Sequence, residues 1–439
     1  MAEPTVIRMI RRPRTAAGLA LAVALSLPLP LAATTGTAQA APSATAPAAP
    51  PTTDTKAAAR LRLPAPTGPY AVGRSTLPLT DHSRPDPWVP TAKARELMVD
   101  MYYPARRGTG TPAQYATTEE IRTLLKQAGL EGKVAPERLS DTAVHSRTGA
   151  RPAAGKYPLL VLSPGFGASR YSLTSLAEDL AARGYVVATV DHAYESIGTT
   201  FPGGRTLTCA ACEKVYGTEG GTRYATQGRA KDVAFVLDRL TGRHPAWRYA
   251  HLIDGRRIGM AGHSLGGASA ASAMAGDHRI RAGLNLDGAF GDPVPADGLD
   301  SRPFLMLGTD DGVHRPGGRD KTWDLAWSRL DGWKRWLTVA GADHYSFSDA
   351  PVLGDQLGFP VTGADPSAPR PALSGARSAA LTRSYVAAFF DLHLRQIPQT
   401  LLDGPSQDYP EVKFNDPTGT RTAPADRTAR MTPTALGAG

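Results

Sequence analysis

Between Arg256 and Met274 the chain reads RRIGMAGHSLGGASAASAM. An apolar strand gives way at once to a helix-forming run of small residues, and the whole reversal falls on one position. Such a corner forces its residue into a strained backbone conformation and lets only very small neighbours pass. Gly262-His263-Ser264-Leu265-Gly266 fits the G-x-S-x-G pattern, in which a serine hydroxyl is lifted above a sheet edge as a nucleophile. The competing reading is a tight turn in which Ser264 only caps the helix. The strand before it and the small-residue helix after it favour the nucleophile.

The rest of the chain supplies a frame for such a corner. AVGRSTLPLTD and RELMVDMYYPA read as two strands around the proline-rich turn SRPDPWVP, and TTEEIRTLLKQAGL reads as a helix with a capping box from Thr117 to Glu120. A strand–helix rhythm follows. YPLLVLSPG, YVVATVDH, RRIGMAGHS, RAGLNLDGAF, PFLMLGTDD and KRWLTVAGADH read as apolar strands, with helical runs among them and RSAALTRSYVAAFFDLHLR at the end. Strands without a polar face predict an α/β fold, a mostly parallel sheet covered by helices on both faces. An inserted loop region is expected after the strand ending at Asp191.

The domain organisation follows from composition. Residues 1–40 have a basic start, a short apolar run and an Ala38-Gln39-Ala40 site, the pattern of a secretory leader. Residues 41–60 are an Ala/Pro/Thr-rich linker, 61–415 one catalytic domain, and 416–439 a disordered tail. The protein is therefore expected to act outside the cell. Removing the four arginines and one glutamate of residues 1–40 lowers the formal charge from +9 to +6. That excess is spread without a long basic run, which argues against nucleic-acid binding and leaves an anionic lipid interface as the surface it would favour. Cys209 and Cys212, the two cysteines, are expected to form a local disulfide. Trp323, Trp327 and Trp333 are read as buried rather than as a lipid-facing patch.

A serine becomes a useful nucleophile only when a base takes its proton and a carboxylate orients that base. His344 follows the last apolar strand in TVAGADHYSFSD, where a loop can bring it to the corner. His263 is expected to pack behind the corner and His192 to line the pocket, while His314 falls in a polar loop. For the acid, Asp287 ends one strand, 23 residues after the serine, and Asp310 and Asp311 end the next. Both strand ends can face the corner. The oxyanion needs two backbone N–H groups. Leu265 supplies one, and Phe166, in the PGFGASRYS loop after the first core strand, is expected to supply the other.

The blocks YPLLVLSPGFGASRYSLTSLAEDLAARGYVVATVDHAYES, GHSLGGAS, NLDGAF and HYSFSD, in this order, resemble the signatures of the platelet-activating-factor acetylhydrolases of the secreted, lipoprotein-associated type and their bacterial lipase-like relatives. In layout the resemblance runs from Leu61 to Glu411. It implies an α/β-hydrolase fold, and it implies Asp287 as the triad acid, because that family carries its acid in an LD block soon after the corner. It also implies His344 as the base and Phe166 in the oxyanion loop. The chain departs from the pattern at Leu265, where eukaryotic members carry phenylalanine, in SPGFG for SHGLG, and throughout Ala193–Gln227. The expected function is a secreted serine esterase or lipase that cleaves carboxylic esters, short-acyl phospholipids among them, without metal or organic cofactor. The alternatives are a cutinase-like polyester hydrolase, which Asp310 or Asp311 as the acid would suit better, and a non-catalytic binding protein on the same scaffold.

Overall fold

The computed structural model describes residues 59–358 and 373–417. The expected leader, the linker as far as residue 58 and the tail from residue 418 lie outside the described residues. Thirteen strands are described. The first six are β1 (Ala71–Asp81), β2 (Arg95–Ala105), β3 (Thr111–Pro112), β4 (Ser146–Thr148), β5 (Tyr157–Ser163) and β6 (Val186–His192). After a small hairpin of β7 (Thr199–Thr200) and β8 (Thr206–Leu207) come β9 (Ile253–His263), β10 (Ile280–Leu286), β11 (Phe304–Thr309), β12 (Lys334–Val339) and β13 (Val412–Asn415). Eleven of them form one sheet in the order β13-β12-β11-β10-β9-β5-β6-β2-β1-β4-β3. Every neighbouring pair from β12 to β6 is parallel, whereas β2 and β13 join the two sides of this block antiparallel.

Alternation along the strands divides the core in two. Leu159 and Val161 of β5 face one way, with Met260, Met306 and Trp336, while Leu160 and Leu162 face the other, with Ala261, Leu284, Leu307 and Leu337. The described helices are α1 (Thr118–Gln127), α2 (Pro136–Ser140), α3 (Thr174–Ala182), α4 (Cys212–Gly217), α5 (Gly221–Thr241), α6 (Leu265–Gly276), α7 (Lys321–Arg329), α8 (Ala350–Leu357) and α9 (Gly375–Arg395). Helices α5, α6 and α7 cover the first face, and α3 and α9 the second. This is the α/β architecture that strands without a polar face require, since both sides must be kept from water.

Several elements fall where their sequence pattern puts them. β1 and β2 span the two runs read as strands, and Thr117 and Glu120 form the capping box of α1. Trp323 and Trp327 are buried in the first core, and Trp333 packs against the second. Helix α5 is longer than its apolar pattern, which begins near Arg229. Its first turns pack Ala225 against Val215 of α4 and Leu265 instead of joining the main core, so they lack the core-facing stripe.

The second core also fixes β9, the strand that ends at the Ser264 corner. Gly259 has no room for a side chain because the ring of Phe390, from α9, lies against it. Phe390→Ala is expected to cost about 3–5 kcal/mol of unfolding free energy, through lost burial plus a cavity. Urea unfolding measures the loss. Near 25 °C the folded fraction should keep its activity per molecule, because Phe390 meets β9 at Gly259, five residues before Ser264.

Candidate active site

β9 ends at His263 and α6 begins at Leu265, so Ser264 alone carries the reversal, with φ 55° and ψ −126°. For a residue with a side chain this conformation costs on the order of 1–3 kcal/mol and persists only where the surroundings enforce it. They do. Ser264 N donates to Leu286 O at 2.7 Å, and Ser264 O accepts from Gly267 N and Ala268 N at 2.9 and 3.0 Å. A methyl group on Gly266 would overlap the Ser163 carbonyl, and one on Gly262 would overlap the Gly266 backbone. The glycines thus allow the chain to cross itself at van der Waals distance, and that crossing holds Ser264 out.

His344 opens a short 3₁₀ turn after β12. Asp343 caps this turn, accepting from Tyr345 N at 3.0 Å. The His344 Nε2 atom lies 3.0 Å from Ser264 Oγ, and its Nδ1 lies 2.6 Å from Asp287 Oδ2. Base and carboxylate differ in exposure: the His344 side chain is 44% exposed and that of Asp287 is 2% exposed. His263 packs behind the corner as expected and donates through Nε2 to His344 O at 2.6 Å. Burial, together with the nearby His344, lowers its pKa to about 3, so it is a neutral donor there.

Asp287 is itself a strained residue, with φ 59°. Asn285 bridges its turn, accepting from Gly288 N at 2.9 Å and donating to Gly288 O at 2.7 Å. The Asp287 Oδ1 atom accepts from Thr309 N at 2.7 Å and Thr309 Oγ1 at 3.0 Å, and His314 Nδ1 stands 2.9 Å away. Burial alone would favour the protonated acid, but the hydrogen bonds and charges of His314 and His344 outweigh it and hold the carboxyl well below its usual range. Asp310 and Asp311 turn elsewhere. Asp310 pairs with Arg315 and with Lys413 of β13, and Asp311 accepts from Val313 N and His314 N.

Phe166 and Leu265 present the two amides expected to face an oxyanion, and neither N–H has a partner among the described residues. Gly165, beside Phe166, has its open side against the Ser264 Cβ. This loop rests on buried charge that sequence patterns do not reveal. Arg229 Nη1 donates to Pro164 O at 2.5 Å, and its Nε donates to Glu195 Oε2 at 2.7 Å. The Glu195 backbone carbonyl accepts from Gly167 N at 2.9 Å. Arg95 then ties Glu195 to Asp86 and Asp232, all of them buried. The loop of Phe166 is thus hydrogen-bonded to α5 and to the strand-end turn after β6, not left to solvent.

Within this network lies a second serine–histidine–aspartate chain. Ser163 Oγ is 2.9 Å from His192 Nε2, and His192 Nδ1 is 2.7 Å from Asp232 Oδ2. All three are buried, and Ser163 Oγ also accepts from Arg229 Nη1 at 3.2 Å. No ester can reach that hydroxyl, so the arrangement braces the loop. His192, expected at the pocket wall, belongs here because the end of β6 points under the loop.

The mouth of the site is aromatic. Phe166 meets Tyr216 of α4 edge-on with centroids 5.3 Å apart, and the ring of Tyr345 lies 5.7 Å from that of His344. Tyr216 is 72% exposed. Cys209 and Cys212 are joined by a disulfide, and Ala211 between them donates to Tyr194 O at 2.9 Å, so the expected staple secures the start of α4. Among the described residues no group of three or more His, Cys, Asp or Glu side chains is arranged to hold a metal ion.

A family model described as platelet-activating factor acetylhydrolase, isoform II, matches residues 55–207. The chain is 31% identical over 382 residues to a probable 1-alkyl-2-acetylglycerophosphocholine esterase of Arthroderma benhamiae, covering 81% of this chain and 94% of that protein. It is 26% identical over 336 residues to a platelet-activating factor acetylhydrolase of Gallus gallus, covering 67% and 76%. Among solved structures, a ferulic acid esterase from Streptomyces cinnamoneus is 45% identical, with a TM-score of 0.70, covering 82% of this chain and all of that one. The shared sheet architecture and the length of these alignments make the chain a carboxylic ester hydrolase that belongs to the platelet-activating-factor-acetylhydrolase-like family of α/β-hydrolases.

Proposed function

We propose that the chain hydrolyses its ester through an acyl-enzyme on Ser264, with His344 as general base and then general acid and Asp287 as the group that orients it. The observation that carries this reading is the continuous chain Ser264–His344–Asp287, at 3.0 and 2.6 Å, ending in a buried, ionised carboxylate. Ser264 Oγ attacks the ester carbonyl while His344 Nε2 takes its proton. The oxyanion faces the Phe166 and Leu265 amides, which strengthen their hydrogen bonds as negative charge develops. His344 returns the proton to the leaving alcohol, and water repeats the sequence to release the acid. The polyester-hydrolase alternative, which Asp310 or Asp311 as the acid would suit better, is less favoured, since both are engaged elsewhere.

For the substrate, aromatic acyl esters of the hydroxycinnamoyl kind fit best. Phe166, Tyr216 and Tyr345 line the approach to Ser264 with ring surface, and the 45% identical structure carries the name of a ferulic acid esterase. Short-acyl phospholipid is the second reading, favoured by the name of the 31% identical fungal relative. Export from the cell is part of the proposal. The leader-like residues 1–40 and the Cys209–Cys212 disulfide, a bond that persists in oxidising compartments, support it.

Steady-state rates on methyl ferulate, nitrophenyl esters of rising acyl length and a short-acyl phosphocholine test the substrate. The highest kcat/KM should fall on ferulate, and a higher value on the phosphocholine would move the assignment to the second reading. Tyr216→Ala should raise KM for ferulate about threefold to tenfold with little change in kcat, the scale of one aromatic contact. Ser264→Ala and Asp287→Asn should each lower kcat at least about 10³-fold. Ser163→Ala and Asp310→Asn should stay within about tenfold of the parent, because neither group reaches the substrate. Loss of activity in Ser163→Ala together with parent-like activity in Ser264→Ala would overturn the assignment of the nucleophile.

A further inference from the structure

His314 plays no part in the three-residue reading and nothing in its sequence context marks it, yet it stands on the far side of Asp287 from His344. Its Nδ1 lies 2.9 Å from Asp287 Oδ1, and its Nε2 lies 3.6 Å from Asp320 Oδ2. The ring is almost fully buried and lies on Trp323, with centroids 4.6 Å apart, while Trp336 Nε1 donates to the His314 backbone carbonyl at 2.9 Å. A neutral imidazole carries one N–H and one lone pair, so it would turn a lone pair toward one of the two carboxylates. Only the imidazolium brings positive charge to both: the Asp287 contact is an ion pair, and the 3.6 Å to Asp320 is an ion-pair distance too long for a hydrogen bond.

We propose that His314 is a positioning residue of the catalytic apparatus, a standing imidazolium held between Asp287 and Asp320 that fixes the triad carboxylate and opposes the positive charge His344 acquires. The proposal rests on Ser264, His344 and Asp287 acting as the triad. Asp287 has both oxygens committed, Oδ2 to His344 and Oδ1 to His314 and Thr309, so it cannot rotate away from the base. The positive charge on one side of Asp287 offsets part of its negative charge as felt on the other. His344 thereby shares its counterion, and the positive charge it acquires on taking the Ser264 proton is opposed by the charge beyond Asp287.

The other charged neighbours do not cancel this effect. On the loop of His314 itself, Asp310 is paired with Arg315 and Lys413, and Asp311 is spent on the His314 and Val313 amides. At the N-cap of α7, Asp320 faces the ring and its Oδ2 has no hydrogen-bond partner, while Asp324 of α7 accepts from Gly317 N. Around His344, His263 is neutral and Asp343 is turned to its own cap. Burial would push His314 toward the neutral form, but the neighbouring carboxylates of Asp287 and Asp320 raise its pKa to about 10. The clamp is therefore charged throughout the range in which an ester hydrolase of this kind would be assayed.

The test is the pH dependence of kcat/KM for the full chain and three variants, on one soluble nitrophenyl ester between pH 4 and 9. In His314→Gln the acid limb should move up by about one pH unit, whatever the height of the plateau, so that relative activity well below the limb falls about tenfold. His314→Lys keeps the charge and should hold the limb near its parent position. Asp320→Asn keeps the helix cap and removes a negative charge beyond His314, so its limb should move down, by about 0.3 unit. A limb that stays put in both His314→Gln and Asp320→Asn overturns the proposal. If His314→Gln does not fold, the downward shift in Asp320→Asn decides alone. Asp287→Asn separates the two claims: its collapse at every pH leaves the triad standing even when the limbs do not move, and full activity in it removes the triad itself.

Discussion

Everything in this molecule's chemistry depends on how closely two pieces of backbone can approach. β5 leaves the sheet and turns into the oxyanion loop, β9 leaves it and turns into α6, and the two turns touch where Gly266 meets the Ser163 carbonyl. A single β-carbon there would push α6 away, rotate Ser264 and withdraw the Leu265 amide from the neighbourhood of Phe166. The strain at Ser264 is retained because hydrogen bonds to Leu286, Gly267 and Ala268 leave the chain no alternative path. The same economy of space recurs one strand over. Asp287 is also held at positive φ, with Asn285 bridging its turn.

A second constraint is electrostatic. The oxyanion loop hangs on Arg229 and Glu195, which belong to a buried cluster with Arg95, Asp86 and Asp232. Charges this deep stabilise little in sum, since desolvation offsets much of their attraction, but each one fixes the orientation of its partners. On this account the cluster exists for geometry: it sets the height of the loop above the nucleophile. The buried Ser163–His192–Asp232 chain makes the same point. Its distances match those of a hydrolytic triad, and access alone separates the two.

Much of this was legible in the sequence, for physical reasons. Strands buried on both faces must be apolar throughout, so β5, β6, β9, β10, β11 and β12 stand out as runs, and the corner at Ser264 announces itself by its glycines. His344 follows from its position after the last parallel strand. The choice between Asp287 and Asp310 did not follow from spacing, because β10 and β11 are neighbours whose ends both approach the corner. In the folded chain Asp287 meets His344, while Arg315 and Lys413 draw Asp310 aside, and Lys413 sits on a strand about a hundred residues distant in sequence. His314, Glu195 and Arg229 stayed hidden for the same reason. Each gains its role from partners that only the folded chain brings near, and none carries a local pattern.

The central claim is that Ser264, held by that crossing and activated through His344, is the nucleophile. Intact-mass and peptide mass spectrometry after brief treatment with a fluorophosphonate measure this most directly. The account predicts one adduct per chain, located on the tryptic peptide from Ile258 to Arg279 at Ser264. It also predicts that Asp287→Asn labels far more slowly than the parent and that Ser264→Ala does not label at all. An adduct on Ser163 or elsewhere, or labelling of Ser264→Ala at the parent rate, would contradict it.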